Sequence, residues 1–396
     1  MSEFLGNLRW KEVNFPLAVF ALMCVLPSGM LLPVKLASIF GLGIWSLFNF
    51  KALRFAKHQL YVLAVLVIYL TAWLLQGAIL VNTDSINILG FFFNVLMLPI
   101  LLTFYQAFVR RSPELVDSFL ALFVIAVLIF GVFKYTLVGF IIVGVIQVEF
   151  LESLGISYQV FHMDIVSTRV TFSSDYFIPL ATLCVGRSLV SQGNRRSERM
   201  VYFYVIVFSL FALLTYIRSI WALQAIVLFF IFSRNLKLTL ISLSLILALG
   251  IFMFLSAPDA LEIILRALET KLFDESSLSK KDIQSNSLLS GINIAPFFGH
   301  GAASFSTEFI ANAEKPYLYE VQTLALVFQM GLVGASFYFL YVMSGMFFIP
   351  TSSFTLFISF FFILLILVFS TNPLLLVING FIFIFIPWLL LQSKAR

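Results

Sequence analysis

Pro296-Phe-Phe-Gly-His-Gly-Ala-Ala-Ser-Phe305 is followed by a polar run holding Glu308, Glu314, Lys315 and Glu320, and then by Val321-Gln-Thr-Leu-Ala-Leu-Val-Phe-Gln-Met-Gly-Leu-Val-Gly334. The last part is an apolar segment, long enough with its continuation to cross a bilayer, for which about 20 residues suffice. The first part is a turn, because glycines at 299 and 301 allow tight backbone next to a helix or a ligand. Between them, Glu314 and Glu320 stand at the mouth of the hydrophobic segment, where loss of water readies a carboxylate to act as an acid or a base. Polar chemistry packed against a membrane wall marks this stretch as the candidate site.

The rest of the chain agrees with a membrane as its solvent. Of 396 residues, 61% are hydrophobic and only 11% charged, and mean hydropathy is +1.06; ordinary soluble domains carry about 25% charged residues. A soluble globular protein is excluded. The formal charge of +5 follows from membrane topology more simply than from nucleic acid, for which nothing in the sequence speaks. Cys24 and Cys184 lie inside apolar segments and read as buried thiols. The first apolar stretch is longer than a signal-peptide core, is interrupted by Pro27 and Pro33, and reads as a retained helix.

Apolar runs bounded by polar or basic residues occur at 13–31, 34–50, 59–80, 86–108, 115–134, 174–192, 200–216, 219–233, 236–256, 318–347, 353–370 and 373–391. The expected fold is therefore an all-α polytopic integral membrane protein, one transmembrane domain over 1–396 with about twelve membrane-spanning helices. With both termini cytoplasmic, short inner loops are almost uniformly basic, as the positive-inside rule asks. Lys35, Lys134, Arg169, Arg218, Arg266, Lys271, Lys280, Lys281 and Lys315 then fall on the outer side. Two outer segments carry most of these. One, 135–173, holds the apolar piece Leu137 to Val148, too short to span and read as re-entrant or interfacial. The other, 257–317, is the large loop between the ninth and tenth spans and opens with an amphipathic helix over 258–271.

The sequence offers no metal or nucleotide chemistry. His58, His162 and His300 are isolated from one another, and the Gly-x-Gly at 299–301 lacks the Lys-Ser/Thr of a phosphate loop. The outer cations are more informative. Arg218, in Leu213-Leu-Thr-Tyr-Ile-Arg-Ser-Ile-Trp221, lies at a membrane boundary, where an arginine needs an anion or a path to water. Its fork of donors suits a diphosphate, and Lys280 and Lys281 add point charges. The plainer alternatives are a snorkelling Arg218, an Arg169 paired with Asp175 or Asp164 to fix a helix end, and Lys280 and Lys281 in a solvated loop.

Three stretches carry a family likeness: Leu214-Thr-Tyr-Ile-Arg-Ser-Ile-Trp-Ala222, the Pro296–Phe305 turn, and Tyr319–Gly334 with its Gly331-Leu-Val-Gly334 ending. In these the chain resembles the bacterial O-antigen polymerase and O-antigen ligase superfamily, which handles sugars carried on undecaprenyl diphosphate. The resemblance implies a GT-C-like glycosyltransferase architecture in the inner membrane, with the active site on the periplasmic side. It implies that Arg218 and Arg169, joined by Lys280 or Lys281, bind the substrate diphosphate, and that Glu320 first and Glu314 second act on the acceptor hydroxyl. It also implies inverting transfer with undecaprenyl diphosphate as leaving group and no metal or other cofactor. Tyr317, Tyr319 and His300 are candidates for sugar contact. Ligases of the superfamily have histidine where this chain has Glu320, so polymerisation of lipid-linked repeat units is favoured over ligation. A flippase of lipid-linked oligosaccharide is the alternative outside enzymes, disfavoured because the charges gather at one face. A chain-length regulator is a partner implied by the family alone, beside membrane lipid and the lipid-linked oligosaccharide itself.

Overall fold

Runs of apolar residues without helix breakers become helices because, away from water, only intrasegment hydrogen bonds can satisfy the backbone. The computed structural model describes residues 15–26, 31–48, 57–80, 85–111, 113–147, 149–153, 160–161, 169–170, 173–191, 195–215, 217–233, 276–310, 319–344, 353–369 and 380–392. In order, the helices are α1 (Phe15–Val25), α2 (Leu32–Phe48), α3 (Lys57–Leu80), α4 (Ser85–Arg111), α5 (Pro113–Ile142), α6 (Glu149–Ser153), α7 (Phe177–Ser191), α8 (Arg195–Leu214), α9 (Arg218–Ser233), α10 (Ser276–Ile294), α11 (Gln322–Met343), α12 (Ser353–Phe369) and α13 (Ile382–Gln392). A short antiparallel pair, Val160–Phe161 with Arg169–Val170, and a 3-10 turn at Ser173–Tyr176 complete the described elements.

Among the described residues, three helices are long and apolar enough to cross a membrane: Leu60–Ile79, Val116–Ile141 and Gln322–Met343. The described residues are thus all-helical but for the short strand pair, which is compatible with a membrane protein. The expected span at 236–256, the amphipathic helix at 258–271 and the stretch 373–379 of the last expected span lie outside the described residues; the remaining expected spans overlap described helices.

Two compact units are formed, Met1–Ser38 with Glu114–Asp274 and Ile39–Pro113 with Glu275–Arg396. In the first, α7 packs on α8 and α9. Gln224 of α9 ties the three together, its side-chain oxygen accepting from the Thr182 hydroxyl at 3.1 Å and its Nε2 donating to Ser209 Oγ at 3.2 Å. Such polar bridges hold helices where lipid offers no hydrophobic drive for their association.

One sequence expectation is corrected in this unit. Leu137 to Ile142 is not a separate re-entrant piece but the end of α5, which runs on unbroken past Lys134. The reason is electrostatic. Lys134 does not mark a membrane boundary, because its ammonium is buried and donates to both carboxylate oxygens of Asp175, at 2.7 and 2.6 Å. Asp175, a candidate partner for Arg169, holds Lys134. Pairing with Asp175 offsets the cost of burying the ammonium within the helix.

In the second unit α3 packs against α4 and α11, α10 lies along α11, and α13 contacts α4 and α12. Helix α10 was unforeseen, since Ser276-Ser-Leu-Ser-Lys-Lys-Asp-Ile-Gln-Ser-Asn286 shows no apolar stripe. Its inward positions are Gln284, Ser287, Leu288 and Gly291, at helical spacing but mostly polar or small. Gly291 has no space for a side chain because the Phe328 ring lies over it.

Candidate functional site

The Pro296–Phe305 turn and the helix ending Gly331-Leu-Val-Gly334, separate in sequence, are fastened together in the second unit. Helix α11 is two helices meeting at Gly331, whose φ of 69° and ψ of 174° are non-helical. A break of this kind strands backbone groups that the helix would otherwise pair, and inside a membrane each stranded group is costly.

The turn meets that need group by group. Leu332 N–H donates to the Pro296 carbonyl at 2.8 Å and Val333 N–H to that of Phe297 at 3.2 Å. On the other side of the break, the Phe328 carbonyl accepts from His300 N–H and the Gln329 carbonyl from Gly301 N–H, both at 3.0 Å. Helix α3 supplies the remainder: Trp73 Nε1 donates to the Gln329 carbonyl at 2.8 Å, and the Tyr69 hydroxyl donates to that of Met330. Gln76 Nε2 holds the turn itself through the Gly299 carbonyl at 2.8 Å, while Gln329 Nε2 reaches the Ser304 carbonyl at 3.0 Å.

Glycine is required at two levels here. Gly299 and Gly301 have φ of 70° and 101°, a region that residues with a Cβ rarely enter. Space is also lacking, since a Cβ on Gly299 would meet the Gln329 carbonyl and Gly331 N, and one on Gly301 would come within 2.8 Å of Gly77 backbone.

The residues singled out from sequence are distributed as follows. His300 is half-buried, its ring stacked on Phe328 with centroids 4.5 Å apart and its Nε2 donating to the Gly291 carbonyl at 2.9 Å. Tyr319 is buried with Leu288, Ala325 and Phe328, and its hydroxyl accepts from Ser306 N–H at 2.6 Å. Both brace the turn in this structure. Glu320 is exposed just ahead of α11, and its N–H donates to Gln284 Oε1 at 3.0 Å. Lys280 is exposed and Lys281 half-buried near the start of α10. Glu314, Lys315 and Tyr317 lie outside the described residues.

Arg218 and Arg169 belong to the first unit. Arg169 pairs through its backbone with Phe161 in the strand pair. Arg218 is the first residue of α9, directly after a tight corner in which Ile217 N–H donates to Thr215 Oγ1 and Trp221 Nε1 to the Ala212 carbonyl. A cation in the first turn opposes the helix macrodipole; an anion at that end would be attracted by both the guanidinium and the dipole.

Tyr69, Trp73, Gln76 and Gly77 escaped the sequence reading because they sit inside an apolar span. Their signal was present: four residues with polar atoms or no side chain, at spacings of a single helix face. No family model and no curated protein matches this chain.

Proposed function

We propose that the protein is a polytopic inner-membrane glycosyltransferase that polymerises undecaprenyl-diphosphate-linked oligosaccharide repeat units on the periplasmic side, with about twelve spans and a GT-C-like architecture. The observation that carries this reading is that two of the three stretches shared in likeness with the superfamily are built as mates. The Gly-x-Gly turn fills the break at Gly331 and satisfies its backbone, so the two motifs form one structural feature. That feature lies in the helix that Glu320 directly precedes.

The chemistry assigned is direct displacement at the anomeric carbon. Arg218 and Arg169, with Lys280 or Lys281, neutralise the diphosphate as it departs. Glu320, with Glu314 second to it, accepts the proton of the acceptor hydroxyl as the new glycosidic bond forms and the bond to diphosphate breaks. Energy comes from the lipid diphosphate, and the product is inverted.

The test is surface polysaccharide length, read by gel in a polymerase-null host of matching repeat unit, complemented with wild type, Arg218→Ala or Glu320→Gln at equal membrane abundance. Wild type should restore a ladder and both variants should leave single repeats. Failure of wild type to give a ladder, with repeats trapped on the cytoplasmic lipid carrier when the gene is lost, would replace the polymerase by a flippase.

A further inference from the structure

The hydrogen bonds between α10, the turn and α11 also measure depth. Helix α10 runs alongside α11 in the same direction: Gln284 is bonded at Glu320, Gly291 lies at Phe328, and Pro296 and Phe297 are bonded at Leu332 and Val333. The chain then turns back, with Ser304 at Gln329 and Ser306 at Tyr319. This is a hairpin whose tip, Phe297–Phe298, reaches the level of Val333. At 1.5 Å per residue Met330, the last residue before the break, is about 12 Å beyond Gln322, where the candidate span begins, and the tip lies past it. Helix α3 gives the same answer independently. Tyr69 touches the Phe298 carbonyl at 3.5 Å, and Tyr69 is about 15 Å from the Ile79 end of its own candidate span. Both figures put the tip near half of the roughly 30 Å hydrocarbon core.

We infer that Ser276–Ser306 is a re-entrant hairpin that dips from the outer face to mid-depth of the membrane, and that the side chains at its tip are covered by lipid acyl chains. Two further observations fit that occupant. The tip shows bare apolar surface, with Ile294 79%, Phe297 62% and Phe298 64% exposed beside Leu332 at 49%. Much of its irregular backbone is nevertheless paired: the carbonyls of Pro296, Phe297 and Gly299 and the amides of Gly299, His300, Gly301 and Ala302 all have partners. A turn facing water would not need this, whereas one at membrane depth does. The hairpin places a polar-to-apolar gradient along one element, from Lys280 and Asp282 at the outer level to Phe298 at the centre. It follows from α3 and α11 crossing the bilayer and is independent of the polymerase assignment.

The test attaches a bimane fluorophore to single cysteines in the full chain carrying Cys24→Ala and Cys184→Ala, reconstituted in phosphatidylcholine vesicles with or without mid-chain bromination. Labels at Phe297→Cys, Phe298→Cys and Ile294→Cys should be quenched several-fold more by brominated lipid than by aqueous iodide. Labels at Asn286→Cys and Thr307→Cys should show the reverse. Three tip positions are used so that one poorly folding variant does not decide the outcome. Iodide quenching at the tip equal to that at Thr307→Cys would overturn the dip. Quenching there by neither agent would overturn lipid as the occupant in favour of protein cover.

Discussion

Replacing Gly331 by alanine strikes the feature on which the second unit is built. At φ 69° and ψ 174° the residue occupies a region open essentially to glycine alone, and holding alanine there costs about 1–3 kcal/mol. The new Cβ would also meet the Phe297 carbonyl and Phe298 N. These are backbone atoms that cannot swing aside, so the turn must shift as in an overpacked core, for about 1–3 kcal/mol more. The expected loss is about 2–6 kcal/mol, a large share of the 5–15 kcal/mol typical of a folded protein. At about 2–4 °C per kcal/mol, the melting temperature of the detergent-solubilised protein, followed by size-exclusion of a fluorescent fusion, should fall by at least about 4 °C. Gly90→Ala is the matched control, because Gly90 is helical and a Cβ there meets nothing within 4 Å; it should be neutral or stabilising by up to about 1 kcal/mol. Equal melting of Gly331→Ala and wild type would mean that α11 straightens freely and that the turn does not hold it broken.

Trp73→Phe keeps an aromatic ring but removes one donor to the Gln329 carbonyl, which retains Gly301 N–H; a loss of about 0.5–1.5 kcal/mol from the hydrogen bond is expected by the same melt. Lys134→Met leaves Asp175 charged and buried and should cost about 3–5 kcal/mol, whereas the double change Lys134→Met with Asp175→Leu should recover most of it. If the double variant melts no higher than the single one, the cost does not come from an unpaired charge. Gln224→Met cuts the bridge among α7, α8 and α9, yet should cost under about 2 kcal/mol, because such bonds within membranes are individually weak.

How much of this was legible in the sequence depended on whether the signal was local. Apolar length between basic punctuation is local, so helices such as Lys57–Leu80 and Ser353–Phe369 stand close to where they were expected. Lys134 misled because its meaning is not local. Charge read along the chain marks a boundary, and only the fold brings Asp175 to 2.6 Å. Helix α10 was hidden for a related reason. Its buried face carries Gln284 and Ser287 rather than an apolar stripe, since what it packs against is partly backbone and polar side chains: Gln284 holds the Glu320 amide and Ser287 donates to Ser306 Oγ at 2.6 Å. A periodicity search weighted by hydrophobicity is blind to such a face.

The glycines show where sequence and structure meet most closely. In the sequence Gly299 and Gly301 read as a turn and Gly331 as part of the Gly331-Leu-Val-Gly334 ending, and each is a position of positive φ. Their common cause is one interlock. Breaking α11 inside an apolar span frees amides and carbonyls that neither water nor lipid can satisfy there, so a second stretch of backbone must come close enough to bond them. That approach excludes side chains on both partners, as the clash of any Cβ at Gly299 or Gly331 with the facing backbone shows. Glycine on only one partner would leave the other too far to bond. The two motifs are therefore coupled by sterics, and a change at either is expected to release the same hairpin, so that Gly299→Ala and Gly331→Ala together should cost less than the sum of their separate losses.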